Sequence, residues 1–295
     1  MTTMSLPDYI APDTMDEVLR LKHQHGHDAR IIAGGTDLIL RMRDNILSPG
    51  LLIDLRHTSP DQISSTPQEL TFGASVTTAQ ILIHTDVAEQ FPALVEACRH
   101  FAGPPIRNRA TLGGNLVNAS PAADLIPPLL AYDASITLAS TSGERKLKLR
   151  DFFTGPGQTV MQADELLTAV HLPLLSPNSQ TTFIKLGHRR SMAIAVVSVC
   201  VHVTQGTDNT IADARIALGA VAPTVVRMPA AEALLNGHQL DSRVIAAAAQ
   251  QAAEDVSPIT DVRASRQYRQ RMVEVLVRRA LTTNLNKLTA GGRGE

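Results

Sequence analysis

Tryptophan is absent from this chain, and aromatic residues make up only 3% of its 295 residues. The 27 lysines and arginines are offset by 28 acidic residues, which leaves a formal net charge of −1. Proteins that bind nucleic acid or anionic lipid need a cationic surface, and single-stranded nucleic acids are also held by stacking rings. The composition therefore disfavours both nucleic acid and a membrane surface as partners.

Cysteine is nearly absent as well, since only Cys98 and Cys200 occur and they lie in different halves of the chain. They form no CxxC motif, and an iron–sulfur cluster needs about four thiolates. We expect no cluster and no other metal site in this chain. Unpaired cysteines suit a reducing compartment, so the predicted location is cytoplasmic.

No long hydrophobic run is present either. The longest apolar stretch, Ala193 to Val201, is interrupted by Ser198 and is far shorter than the ~18 residues of a membrane span. The first twenty residues carry acids and no apolar core, so we expect no signal peptide.

The patterns that are present predict a soluble α+β protein of about two domains. A helix capped at Thr14, a buried strand ARIIAGG, a helix over 91–103 closed by Gly103, and a hairpin around Thr141–Gly143 are expected in the first part. The segment 172–180, LPLLSPNSQ, is typical of a linker. Three β-strand patterns and two alanine-rich helices follow it.

Two turns with paired glycines are candidate ligand-binding segments. Taken alone, Gly34-Gly35 indicates an ordinary turn, and the chain has neither GxGxxG nor a Walker lysine. The second turn, Thr111 to Asn115, again combines a hydroxyl with a glycine pair and adds a side-chain amide. Bare backbone amides that converge in this way can bind an anion such as a pyrophosphate without a cation.

The segment that follows the second turn adds an acid. Ser120-Pro121 is typical of a helix entry, which would place Asp124 one turn into a helix. There its carboxylate could accept a hydrogen bond from a ribose or ribityl hydroxyl, although a simple helix cap explains the serine equally well. Two glycine turns and this acid suit a dinucleotide the size of a flavin.

At these residues the chain resembles the FAD-binding (medium) subunits of the molybdenum hydroxylases, the family of xanthine dehydrogenase and carbon monoxide dehydrogenase. The similarity is greatest to the separate FAD subunits of bacterial xanthine and nicotinate dehydrogenases. It is carried, in order, by IIAGGTDL, FAGPPIRNRATLGGNLVNASPAADLIP, DFFTGPG and FIKLGHRRSMAIAVVSV.

The resemblance implies a vanillyl-oxidase-type FAD-binding domain of two α/β lobes and a smaller C-terminal domain with an antiparallel sheet and helices. The predicted FAD domain covers residues 1–175, with lobes of about 1–57 and 58–175. The C-terminal α+β domain is predicted over 180–288, and residues 289–295 are expected to be a disordered tail.

The resemblance also implies a set of cofactor-binding residues. Backbone amides would reach the FAD pyrophosphate from two segments: Ile31, Ile32, Ala33, Gly34, Gly35, Thr36, Asp37 and Leu38, and Thr111, Leu112, Gly113, Gly114 and Asn115. Ser120 and Asp124 would lie at the sugar or ribityl chain, Phe101, Ile106 and Leu167 at the rings, and Lys185 would contact the cofactor. A surface lysine is the plainer interpretation of Lys185. No catalytic or metal-binding residue is predicted, and neither turn holds a His or Cys for covalent attachment.

The function implied is that of an oxidoreductase subunit that transfers electrons. Electrons would arrive from a small subunit with two [2Fe–2S] clusters and a large molybdopterin subunit, with NAD+ as the expected acceptor and a dimer of heterotrimers as the expected assembly. The loop from Arg189 to Ala195 lacks the tyrosine and the acids of some relatives, so another acceptor stays open. Two alternatives also stay open: an autonomous FAD-dependent oxidoreductase and a non-catalytic nucleotide-binding module. The sequence does not identify the substrate of the complex.

Three alternating histidines, His23, His25 and His27, form a candidate metal-binding site. They lie between a predicted helix and strand with no cysteine or paired carboxylate nearby, so an exposed polar turn is the preferred interpretation.

Overall fold

Three successive parts, each with its own β-sheet, make up the computed structural model, which describes residues 6–58, 60–189 and 192–291. The predicted α+β class is confirmed. No helix in the described part of the chain combines the length and apolar character needed to cross a bilayer.

The first part is a small lobe with a parallel three-stranded sheet in the order β1-β3-β2. Helix α1 begins where the Thr14 hydroxyl accepts from the Glu17 N–H at 3.2 Å, as the capping pattern predicted. Its apolar side packs on the sheet through Val18 and Ile53, both fully buried. The elements are β1 (Asp8–Ile10), α1 (Met15–His25), β2 (Ala29–Ile32), α2 (Leu38–Arg43) and β3 (Leu51–Asp54).

The second part is a larger lobe with a five-stranded antiparallel sheet in the order β4-β5-β10-β6-β7, covered by short helices. The core between sheet and helices contains Phe72, Phe91 and Tyr132, all fully buried. In chain order the elements are β4 (Ile63–Ser65), β5 (Glu69–Gly73), α3 (Thr78–Ile83), α4 (Thr85–Gln90), α5 (Pro92–His100), α6 (Pro104–Arg107), α7 (Leu112–Val117), α8 (Ile126–Ala131), β6 (Ser135–Ser140), β7 (Gly143–Lys148), β8 (Phe153–Gly155), β9 (Gln158–Thr159) and β10 (Leu166–Pro173). Strands β8 and β9 form a separate two-stranded ribbon.

Two expectations for this lobe are wrong. Helix α5 ends at His100, and Ala102, with a positive φ of 38°, turns the chain before Gly103, which instead precedes α6. Ser120 does not start a helix that contains Asp124: α8 begins only at Ile126, so Asp124 lies in the irregular segment before it.

The third part has a four-stranded antiparallel sheet in the order β11-β12-β13-β14, backed by two long helices. Buried alanines of α10, among them Ala248 and Ala252, pack in the same core as Val277 of α11. The elements are β11 (Ser179–Leu186), β12 (Val197–Gln205), β13 (Ile211–Gly219), β14 (Val226–Arg227), α9 (Pro229–Ala233), α10 (Ser242–Glu254) and α11 (Arg266–Gly291).

The chain passes from the second to the third part between Pro173 and Ser179, within the predicted linker. Helix α11 continues to Gly291, so the first three residues of the predicted disordered tail are helical. Residues 292–295 lie outside the described part of the chain.

Candidate functional site

A cavity of about 820 Å³ lies between the first two lobes. Residues of both glycine turns line it, together with residues of the segment 154–167. Most of the predicted cofactor residues line it: Ile31, Ala33, Gly34, Gly35, Thr36, Asp37, Leu38, Phe101, Ile106, Thr111, Gly113, Gly114, Asn115 and Leu167. The structure thus brings together two turns that are about 75 residues apart in the sequence.

The first glycine turn presents free backbone donors. In the described part of the chain, the N–H groups of the five residues from Gly34 to Leu38 donate to no protein acceptor. The helix ladder begins only with Ile39, whose N–H bonds to Gly35 O at 3.2 Å. Consecutive free amides at a turn that enters a helix can bind an anion, so the predicted contact with a pyrophosphate stays a prediction that this geometry allows.

The two glycines of this turn are needed for different reasons. A Cβ on Gly34 would lie 1.9 Å from the carbonyl oxygen of Arg109, so only glycine permits this close approach of the two lobes. Gly35 has φ of +70°, in the left-handed region that side chains other than glycine rarely adopt.

The second glycine turn differs from the prediction because its amides are already used. The N–H groups of Leu112 and Gly113 donate to Val76 O at 2.8 Å and to Ala74 O at 2.9 Å. The N–H of Gly114 donates to the Thr111 hydroxyl, which caps α7. Asn115 offers its side chain instead, since its Oδ1 is buried without a hydrogen-bond partner.

Asp124 and Lys185 form a buried ion pair at 2.6 Å and do not line the cavity. Their side chains are 9% and 6% exposed, and Lys185 Nζ also donates to His100 O at 3.2 Å. Burial raises the pKa of the Asp124 carboxyl, although the nearby Lys185 ammonium acts in the opposite direction. Lys185 thus pairs with Asp124, whose Oδ1 is buried without a hydrogen-bond partner, and a contact of either residue with the cofactor stays a prediction.

The other predicted residues away from the cavity have structural roles. Ile32 belongs to β2, and Leu112 is fully buried in the core of the second lobe. The Ser120 hydroxyl accepts from the Ala122 N–H at 3.3 Å within the irregular segment before α8.

Several cavity residues were missed by the sequence analysis. Arg41 lines the cavity one turn into α2, with its guanidinium 3.5 Å from Asn118 Oδ1 and 3.9 Å from Asp37. Its spacing of four from Asp37 on a helix was the available signal. Glu165 also lines the cavity, and its bidentate pair with Arg145 lowers the pKa of its carboxyl.

The histidine cluster separates in the structure. His27 lines the cavity, whereas His23 lies 3.4 Å from the Asp164 carboxylate. Within the described ranges, no group of three or more His, Cys, Asp or Glu side chains is arranged to hold a metal ion.

These residues fit FAD. The volume is in the range of about 300–1,000 Å³ that is common for cofactor sites. The free amides match a pyrophosphate, and the unpartnered Oδ1 of the cavity residue Asn115 matches a hydroxyl donor. Phe101, Ile106 and Leu167 line the cavity with apolar side chains that suit the rings.

Comparison with known proteins agrees with this fit. A family model described as the FAD binding domain in molybdopterin dehydrogenase matches residues 3–175. A second, described as the CO dehydrogenase flavoprotein C-terminal domain, matches residues 182–284.

Relatives and solved structures extend the match over nearly the whole chain. The chain is 34% identical over 283 residues to the nicotine 6-hydroxylase medium subunit of Paenarthrobacter nicotinovorans, covering 94% of this chain and 98% of the relative. It superposes on a chain of carbon monoxide dehydrogenase from Hydrogenophaga pseudoflava with a TM-score of 0.92 at 28% identity, over 97% of this chain and 99% of that one. For quinoline 2-oxidoreductase from Pseudomonas putida 86 the TM-score is 0.90 at 30% identity, with coverage of 97% and 99%.

Proposed function

We propose, from the membership of this chain in the family of FAD-binding medium subunits of the molybdenum hydroxylases, that it is the electron-transfer FAD component of a multi-subunit hydroxylase. The observation that carries the proposal is the row of free amides from Gly34 to Leu38 at the wall of the interlobe cavity. The chain is thus an oxidoreductase component, and FAD is its cofactor.

The residues of this chain would bind and orient the cofactor. The Gly34–Leu38 amides would hold the pyrophosphate, with Arg41 as the nearby cation. Asp124 would accept a hydroxyl, held in place by Lys185 from the third part of the chain. Bound FAD would supply the exchange of electrons between one-electron and two-electron carriers.

The partners follow from the same proposal. A small subunit with two [2Fe–2S] clusters and a large molybdopterin subunit would complete the enzyme, as a dimer of heterotrimers. The relatives whose names include medium subunit or medium chain support an assembly of several chains. A cytoplasmic location remains our proposal, because Cys98 and Cys200 are free and buried.

NAD+ is the proposed electron acceptor, and the loop between β11 and β12 supports it. Met192 and Ile194 are 57% and 53% exposed, and both are smaller than the aromatic side chain that would cover a flavin face. Arg189 is exposed and donates two hydrogen bonds to Met192 O. Arg190 and Ser191 of this loop lie outside the described residues.

Purification of the tagged chain from its native host tests the proposal. We expect two further chains to co-purify with it, together with molybdenum, iron and one FAD for each copy of this chain. Acid precipitation should release all the flavin. A yellow single chain that turns over a substrate alone would establish the autonomous oxidoreductase instead, and a colourless chain would establish the nucleotide-binding module.

A further inference from the structure

Arg109 contacts Gly34 in two ways, although the two residues lie in different lobes. Its Nε donates a hydrogen bond to Gly34 O at 3.2 Å. Its own carbonyl oxygen occupies the space where a Cβ of residue 34 would lie. Gly34 is therefore held by the main chain and the side chain of the same residue, just before the second glycine turn.

The orientation of one peptide follows from the first contact. In a trans peptide the C=O and the next N–H point in opposite directions. The carbonyl of Gly34 points towards Arg109, which does not line the cavity, so the N–H of Gly35 points away from Arg109. Gly35 lines the cavity and its N–H has no protein acceptor.

This peptide needs an outside constraint. It joins two glycines, and such a peptide can rotate at little steric cost because neither residue has a Cβ. A rotated peptide would direct a carbonyl oxygen at the bound anion instead of an N–H. Among the described residues, Arg109 is the only hydrogen-bond donor to Gly34 O, since the helix ladder of α2 starts one residue later.

We propose that Arg109 is a positioning residue for the pyrophosphate of the cofactor: it fixes the Gly34–Gly35 peptide so that the Gly35 N–H faces the anion. The proposal rests on the proposed function, because it requires the pyrophosphate to lie at the Gly34–Leu38 turn. Arg109 would act through the backbone of the first lobe without touching a phosphate.

The test measures how substitutions affect ligands with and without a pyrophosphate. The full-length chain, freed of flavin, is titrated with FAD, ADP and riboflavin. We expect Arg109→Gln to weaken FAD and ADP by about three- to tenfold, the effect of one hydrogen bond, and to leave riboflavin unchanged. Arg109→Lys keeps a donor and should recover part of the loss. Arg43→Gln is the matched control, because Arg43 is 69% exposed, is paired with Asp44 and does not line the cavity.

Each adverse outcome identifies what has failed. If Arg109→Gln binds FAD and ADP normally while Gly35→Val loses both, the inference about Arg109 is wrong and the proposed site stands. If Gly35→Val also binds FAD and ADP normally, the pyrophosphate does not lie at this turn and the proposed site is wrong as well. Equal losses in the Arg109→Gln and Arg43→Gln variants would show a general effect of positive charge and would overturn the positioning role.

Discussion

Single residues decide whether the interlobe cavity can hold a pyrophosphate. Gly35→Val should abolish FAD binding, because the residue must keep a φ of +70° and its side chain would press on Ile32 and Ile39, which would displace the turn that carries the free amides. Gly114→Val should do the same by another route, since its Cβ would lie 2.8 Å from the Thr111 hydroxyl that caps α7. Flavin absorbance of each purified variant is the measurement.

Gly237→Val is the control for these two variants. Gly237 has a similar φ of +77°, and a Cβ there meets nothing within 4 Å, far from the cavity in the third part. It should share the backbone strain and keep its flavin. Normal flavin content in folded Gly35→Val or Gly114→Val protein would remove that turn from the site.

A second prediction for single residues concerns the buried charge of Lys185. Lys185→Ala should lower FAD affinity more than tenfold, because it leaves the Asp124 carboxylate buried without its partner. Lys148→Ala should change it by less than about threefold, since Lys148 is 43% exposed in a pair with Asp133 whose contribution is ~0–1 kcal/mol. Equal affinities of the two variants for FAD, measured by flavin fluorescence, would show that Lys185 does not contribute to FAD binding. Arg145 is unsuitable as a second control, because its partner Glu165 lines the cavity.

Among the secondary-structure elements, those with strong local signals were predicted and those set by distant contacts were not. The Thr14 cap and the alternation in β6 predicted α1 and the hairpin from local residues alone. The prolines at 104–105 and 127–128 occupy the first turns of α6 and α8, where a missing N–H costs nothing, and neither short helix was predicted.

The same distinction applies to the candidate site. The glycine pairs located both turns, although the need for glycine is local only at Gly35 and Gly114 and comes from distant residues at Gly34 and Gly113. The sequence could not show that backbone N–H groups of the second turn donate to the carbonyl oxygens of Val76 and Ala74. These acceptors come from a segment about 35 residues earlier. Nor could it show that Lys185 pairs with Asp124 across two parts of the chain.

Strand β12 carries a buried histidine that should make stability depend on pH. His202 is 2% exposed, and burial lowers its pKa from 6.5 to about 4, with Arg215 and Arg227 acting in the same direction and Asp213 opposing them. The ring of Tyr132 and the Thr204 hydroxyl also face it.

The unfolded chain therefore binds a proton at His202 near pH 6.5, whereas the folded chain binds it only near pH 4. The stabilising contribution is present above pH 6.5 and is lost as the pH falls towards 4. Urea denaturation at pH 7 and pH 5 should show a loss of about 2 kcal/mol from this residue. His202→Gln should reduce the difference between the two pH values by that amount. An unchanged difference would show that the ring is protonated in the fold or accessible to solvent.

At the scale of the whole molecule, the third part supports the site without lining it. The described residues that line the cavity end at Leu167. The third part instead contributes Lys185 to Asp124, and Thr181 accepts a hydrogen bond from the buried Tyr132 hydroxyl at 3.1 Å. It also carries the loop that ends at Val196, whose carbonyl oxygen accepts from the buried Arg269 at 2.7 Å. Under the proposed function, cofactor binding and acceptor access therefore belong to different parts of the chain.

This division leads to the last prediction, which concerns the electron acceptor of the assembled enzyme. Transfer to NAD+ requires the nicotinamide ring to approach to about 3–3.5 Å, so no bulky ring should stand over the site. The described residues of the loop offer only Met192 and Ile194 as large apolar side chains, and Met192 lies beside Gly103, near the cavity residue Ile106. We therefore expect NAD+ to reoxidise the complex after it has been reduced with limiting dithionite, which makes the test independent of the unknown substrate. Stopped-flow absorbance follows the return of the oxidised flavin spectrum, and a quinone dye and oxygen serve as parallel acceptors. If the dye or oxygen reoxidises the complex quickly and NAD+ does not, the acceptor assignment is wrong, whereas the FAD site is tested separately by the glycine variants.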